Sequence, residues 1–142
     1  MTIKALSPNV SVSPQIAVED VAAAADQGFR TIISNRPDGE EAGVPAWAEF
    51  EGAAKEAGLE ARHIPVVAQA ISESDVAAFE QALEQLPKPI LAFCRTGTRS
   101  TIMWALANDG ALTADERIRT AARAGYDLEP YRARMADGSD RA

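Results

Sequence analysis

Residues 90–100, "ILAFCRTGTRS", decide how this chain folds. Ile90 to Phe93 is wholly apolar, and with Pro89 before it reads as a short strand buried on both faces. Cys94 ends the run, Gly97 permits a tight turn, and Ser100 opens a helical stretch reaching Asn108. A thiolate, not a thiol, is the nucleophilic form of cysteine, so a reactive cysteine needs positive surroundings. This loop offers them. Its backbone N–H groups can turn inward around Gly97 as an anion nest, and the helix start adds roughly half a positive charge. Arg99 contributes a planar fork suited to bidentate anion contact. Cys94 and Arg99 are therefore the candidate catalytic residues, with Arg95, Thr96, Gly97, Thr98 and Ser100 as candidate anion-binding residues. The plainer alternatives are a buried, inert Cys94 and an Arg95 that is a solvated rim residue.

Working outward, strands and helices alternate. Val10–Val12 reads as a short strand, and Ala17–Gln27 as a helix with acids in its first turn and Gly28 as its stop. Phe29–Ser34 is a β-branched strand followed by the turn-rich "NRPDGEEAG". Pro45–Ala57 is a helix stopped by Gly58, and Leu59–Val67 a strand whose Pro65 marks an end or an edge. Helices follow over Ser72–Leu86, with Ser72 and Asp75 as a capping pair, and from Thr113, capped with Glu116, to Ala124. Leu128–Ala136 reads as a last helix, and 136–142 as a frayed tail. The order predicts one α/β domain over 1–142, with a central, mostly parallel sheet of four to five strands flanked by helices. Ligands of such sheets sit at the carboxyl ends of the strands. That rule brings the loops 35–41, 67–72 and 94–99 to one edge, and so places Arg36 and Asp38 near Cys94.

Composition narrows the function. The 142 residues are 46% hydrophobic and 25% charged, with a formal net charge of -7. An acidic chain is a poor partner for nucleic acid, so the two arginines of the loop suit a small anion better than a polyanion. One cysteine excludes an internal disulfide, and one histidine beside it argues against a His/Cys metal site. No cofactor is expected. No apolar run approaches the ~20 residues of a membrane helix, and "MTIKALSPNV" lacks the regions of a signal peptide. The expectation is a cytoplasmic protein with no membrane partner.

"CRTGTRS" resembles two known thiolate loops. It is similar to the Cys-x-x-Gly-x-x-Arg-Ser/Thr signature of protein tyrosine and dual-specificity phosphatases, shortened by one residue before Arg99. It also resembles, without a gap, the six-residue Cys-Arg-x-Gly-x-Arg/Thr loop of rhodaneses. Across the chain, "LSPNVSVSPQI", "GFRTIISNRPDGEE", "HIPV", "ILAFCRTGTRSTIMWAL" and "AGYDLEPYR" are similar to the beta-lactamase-hydrolase-like family, phosphatase-like domain. The resemblance implies a dual-specificity phosphatase-type fold. It leaves the reaction open, because members of the family have been associated with sulfur transfer as well as phosphatase activity, and some are fused to sulfide- and persulfide-oxidising enzymes.

Two features favour sulfur. The short loop suggests a cradle too small for a full phosphate. Phosphatases resembling this chain also carry an Asp just after the strand that here reads "HIPVV", where this sequence has Ala68. A general acid is worth about 10²–10⁴-fold when an alcohol must leave, whereas sulfite leaves thiosulfate without a proton. The expected activity is therefore sulfur transfer from thiosulfate or a persulfide, through a Cys94 persulfide, to a thiol acceptor such as glutathione or a protein thiol. The alternatives are a phosphatase working through a Cys94 phosphocysteine and a non-catalytic anion-binding or redox-sensing module. Arg36 is a candidate substrate contact, or else a structural partner of Asp38 or Glu40. Asp38 is a candidate general acid, or else a turn residue. Glu40 and Glu41 read as a solvated face, His63 as a satisfied structural histidine, and Met103 and Trp104 as core. Trp47 and Phe50 are expected to pack, or to line the pocket mouth.

Overall fold

The computed structural model describes residues 1–107 and 112–135. The expected tail from 136 and the expected helix end at Asn108 lie outside them. Five strands, β1 (Lys4–Ala5), β2 (Val10–Ser13), β3 (Thr31–Ser34), β4 (Glu60–His63) and β5 (Ile90–Phe93), form one sheet in the order β1-β2-β5-β3-β4. β2, β5, β3 and β4 are parallel, and only β1 runs antiparallel, as an edge. The expected α/β architecture is what the chain adopts. β1 escaped the sequence reading because two residues carry no periodicity. β4 is shorter than the expected Leu59–Val67, its pairing ending at His63 with Pro65 just beyond.

β5 sits in the middle, paired in register with β2 (Leu91 opposite Ser11) and with β3 (Leu91 opposite Ile32). All of its residues are buried. Successive strand side chains point to opposite faces. Leu91 and Phe93 accordingly join Ile32, Val21, Phe50 and Ala54 beneath α1 (Asp20–Asp26) and α2 (Trp47–Ala57). Ile90 and Ala92 join Ile33, Val10 and Val12 on the other face, under α3 (Glu73–Gln85), α4 (Thr98–Ala107) and α5 (Ala114–Arg123). Both expected capping boxes, Ser72 with Asp75 and Thr113 with Glu116, are formed. The expected last helix is a 3₁₀ turn over Glu129–Arg134, with Pro130 in its first turn. No helix among the described residues is long and apolar enough to cross a membrane.

α4 begins at Thr98, two residues before the expected Ser100. The reason is local: the Gly97 carbonyl accepts from both the Thr101 amide (3.0 Å) and the Thr101 hydroxyl (2.8 Å), which carries the helical ladder back to Gly97. Arg99 consequently stands in the first turn of the helix and not in the loop. From Arg99 to Ala107 every residue is buried, Met103 and Trp104 among them.

One buried amide fixes α4 to the sheet edge. Asn35, with no exposed surface, donates from Nδ2 to the Ile64 carbonyl (2.9 Å) and accepts at Oδ1 from the Ser100 hydroxyl (2.8 Å). Its backbone N–H donates to the Phe93 carbonyl at 2.9 Å, so the ends of β3, β4 and β5 and the start of α4 meet at one residue. Asn35→Ala would leave the Ser100 hydroxyl and the Ile64 carbonyl unpaired in the interior. The expected cost is about 3 kcal/mol of stability, checked by urea denaturation.

Candidate active site

The parallel sheet delivers three loops to its carboxyl edge, as the order of elements requires. Cys94 follows β5 directly and has no exposed surface. The Gly97 amide points at its sulfur, N to Sγ 3.2 Å. Gly97 holds φ at +92°, a conformation few side chains tolerate, and a Cβ there would overlap the Tyr126 hydroxyl. Other ties hold the loop. Tyr126 donates to the Thr96 carbonyl (3.1 Å), and the Gln15 amide donates to the Arg95 carbonyl (3.2 Å). The hydroxyls of Thr96 and Thr98 bond one another at 3.0 Å beside the cleft. Arg95 is exposed at the rim, while Ser100 is turned away to Asn35.

Arg99 is aimed by a carboxylate. Its Nη1 and Nη2 each donate to one oxygen of Glu40 at 2.7 Å, and Nη1 also donates to the Val66 carbonyl at 2.9 Å. The fork has five N–H groups, so these contacts leave Nε–H and one Nη2–H for other partners, and the guanidinium interacts with the Cys94 sulfur. Glu40, and after burial the sulfur, act on the Arg99 pKa, which stands above the usual arginine value. Glu40 itself is held down to about 2, chiefly by the Arg99 hydrogen bonds and further by Arg36.

Arg36 is nearly as buried as the core, and each of its three guanidinium nitrogens has a partner. Nε reaches Glu40 (2.7 Å), Nη1 reaches Gln15 (3.0 Å) and Nη2 reaches Glu41 (2.9 Å). Burial pulls its pKa down, but the bonds to Glu41 and Glu40 outweigh it and the net direction is up. Asp38 does not line the cleft beside the cysteine loop; it accepts the Trp47 amide at 2.8 Å and so holds the start of α2. His63 bonds the Arg36 carbonyl (2.8 Å) and stacks on Trp47, while Phe50 packs on Phe93.

A cleft of about 430 Å³ opens in front of the loop, bordered by Glu41, Ala68, Arg95, Thr98, Arg99 and Tyr131 among others. Sequence reasoning missed Glu40, which it placed on a solvated face, and also Gln15 and Tyr126. The Arg36–Glu40 spacing inside "NRPDGEE" was a signal for the first, although its partnership with Arg99 spans 59 positions. Glu40→Gln is expected to cost about 2 kcal/mol at neutral pH, the scale of a charge-assisted hydrogen bond. The folded-state value lies below the ordinary 4.5, so this stabilisation is complete above about 4.5 and is lost as pH falls toward 2. Denaturation of parent and variant across that window should show the gap closing on the acid side.

The model of the family described as beta-lactamase hydrolase-like protein, phosphatase-like domain, matches residues 2–111. A beta-lactamase hydrolase-like protein of Xylella fastidiosa is 33% identical over 130 residues, which cover 90% of this chain and 30% of that protein. The chain thus spans under a third of the length of this curated relative. A candidate phosphatase of Neisseria meningitidis superposes with a TM-score of 0.83 at 39% identity, covering 94% of this chain and 96% of that one. TpbA of P. aeruginosa, crystallised with pTyr, shares the fold at 15% identity and a TM-score of 0.67, covering 98% of this chain and 81% of that one.

These findings overturn the expectation of sulfur transfer, and the thiol acceptor and the link to sulfide oxidation lose their support with it. The physical error lay in counting loop residues to size the cradle. Arg99 belongs to α4 and is set by Glu40, so the number of residues between Cys94 and Arg99 does not measure the space in front of the sulfur. With a family match over most of its length, the chain belongs to the phosphatase-like domain family of the beta-lactamase hydrolase-like proteins.

Proposed function

We propose that this protein is a cysteine-dependent phosphatase that cleaves phosphomonoesters through a phosphocysteine at Cys94. The observation that carries the reading is the Gly97 amide held 3.2 Å from Cys94 Sγ at the mouth of a buried helix, with the Arg99 guanidinium beside it. An amide, a helix start and a cation all favour the thiolate, and the same groups favour the charge on a transferring phosphoryl group. Cys94 attacks phosphorus. The S–P bond forms as the ester P–O bond breaks, and the alcohol leaves with its electron pair. Water then attacks phosphorus, the S–P bond breaks, and inorganic phosphate is released with the thiolate restored.

The leaving group receives little help from the chain. Glu40 is held ionised by Arg99 and Arg36, and Glu41 is kept below the usual carboxylate range by Arg36. Neither carries a proton to give at neutral pH. We assign Asp38 to holding α2 through the Trp47 amide. The departing oxygen must take its proton from solvent, which favours aryl phosphates over alkyl ones. The pTyr bound by TpbA is an ester of that kind.

The test is hydrolysis of p-nitrophenyl phosphate, with a phosphoryl adduct sought by intact mass after acid quench. Cys94→Ser should abolish turnover and adduct together; turnover that survives in C94S would sink the reading. Arg99→Lys should lower kcat by about 100- to 1000-fold, because a point charge cannot replace the fork. Asp38→Asn keeps the oxygen that caps α2, and its kcat should stay within about threefold, whereas losing a proton donor costs about 10²–10⁴-fold.

A further inference from the structure

The peptide that faces the sulfur is gripped from behind. The amide bonded to Cys94 Sγ is that of Gly97, and the carbonyl of the same peptide unit is that of Thr96. Tyr126 donates its hydroxyl to that carbonyl at 3.1 Å. Hydroxyl, carbonyl, amide and sulfur therefore form one chain of hydrogen bonds running through a single peptide plane. A donor on the carbonyl polarises the peptide and strengthens its N–H as a donor, the cooperative effect expected where the surroundings are only partly wet. The Tyr126 hydroxyl also fills the space that a side chain at Gly97 would occupy. On the far side, the Gly97 carbonyl is fixed by Thr101.

From this geometry we infer that Tyr126 is a positioning residue for the nucleophile, orienting and polarising the Thr96–Gly97 peptide so that its amide stabilises the Cys94 thiolate. The inference rests on Cys94 being the nucleophile. Tyr126 stands beyond α5, 32 positions from the cysteine, on a half-buried side chain. Burial and then the Cys94 sulfur both push its phenol above the usual tyrosine value, so the hydroxyl keeps the proton it donates. Arg99 from α4, paired with Glu40, also interacts with the sulfur.

Cys94 is the chain's only cysteine, so thiolate absorbance near 240 nm reports it alone. In Tyr126→Phe, which removes one oxygen and leaves the ring, the thiolate-to-thiol ratio at a fixed pH should fall about 3- to 10-fold, the worth of one hydrogen bond. The pH profile of alkylation by iodoacetamide should move to higher pH by the matching amount. An unchanged thiolate ratio, even with a lower melting temperature, would reduce Tyr126 to packing and overturn the inference. A second measurement needs no variant: in the parent protein, the ¹³C resonance of Tyr126 Cζ should follow the same pH transition as the Gly97 amide. A Tyr126 signal flat through that transition would overturn it equally. Both readouts are independent of phosphate-ester hydrolysis, so an inactive enzyme and an uncoupled Tyr126 give different results.

Discussion

A strand with solvent on neither face must have strands on both sides and helices above and below, and β5 imposes this on the rest of the chain. Burying a side chain such as Ile90, Leu91 or Phe93 favours folding by about 1.5–3 kcal/mol each, so leaving any face of the strand open is costly. The alternation of side chains divides the core in two, Leu91 and Phe93 on one side and Ile90 and Ala92 on the other. Cys94 then comes where the strand ends, at the sheet edge, with α4 returning beneath it. The position of the thiol is a consequence of how deeply the preceding four residues are buried.

Charge is organised around that edge as a ladder. Gln15, Arg36, Glu40 and Arg99 are linked in sequence by bonds of 3.0 Å or less. Two arginines share one glutamate, an arrangement that satisfies a nearly buried guanidinium while leaving donors of Arg99 to face the sulfur. Breaking one member of such a set strands the others, since an unpaired buried charge costs far more than its pair contributed. The loop "NRPDGEE" is thus a framing element, and Arg36 stands among carboxylates in the place where the sheet rule alone had suggested an anion contact.

Much of this was legible in the residues. The run Ile90–Phe93, the glycines at helix ends and the two capping boxes are local signals, and they gave the element order and hence the edge on which the site is built. What stayed hidden was tertiary. A glutamate at a solvated turn and a glutamate that aims an arginine read alike in sequence, and only folding brings Glu40 to Arg99. The helix start was misplaced by two residues because Gly97, a turn former in isolation, lends its carbonyl to Thr101. That small offset moved Arg99 from loop to helix, and with it went the inference about cradle size, one of the two features on which the choice of sulfur had rested. Tyr126 was hidden for a similar reason: nothing in its neighbourhood along the chain points to Thr96.

The stretch that matches the family ends at residue 111, yet the folded unit does not. Ile118, Ala121 and Leu128 belong to the same buried cluster as Met103 and Trp104 of α4. Arg117, itself buried, donates to the Ala105 carbonyl at 2.7 Å and so satisfies the end of that helix. A domain excised or grafted at the family boundary would keep the cysteine, the arginine and the whole of the sheet, and would uncover the outer face of the helix on which both loop and arginine depend. For any fusion that borrows this domain, the workable seam lies beyond the 3₁₀ turn that closes at Arg134.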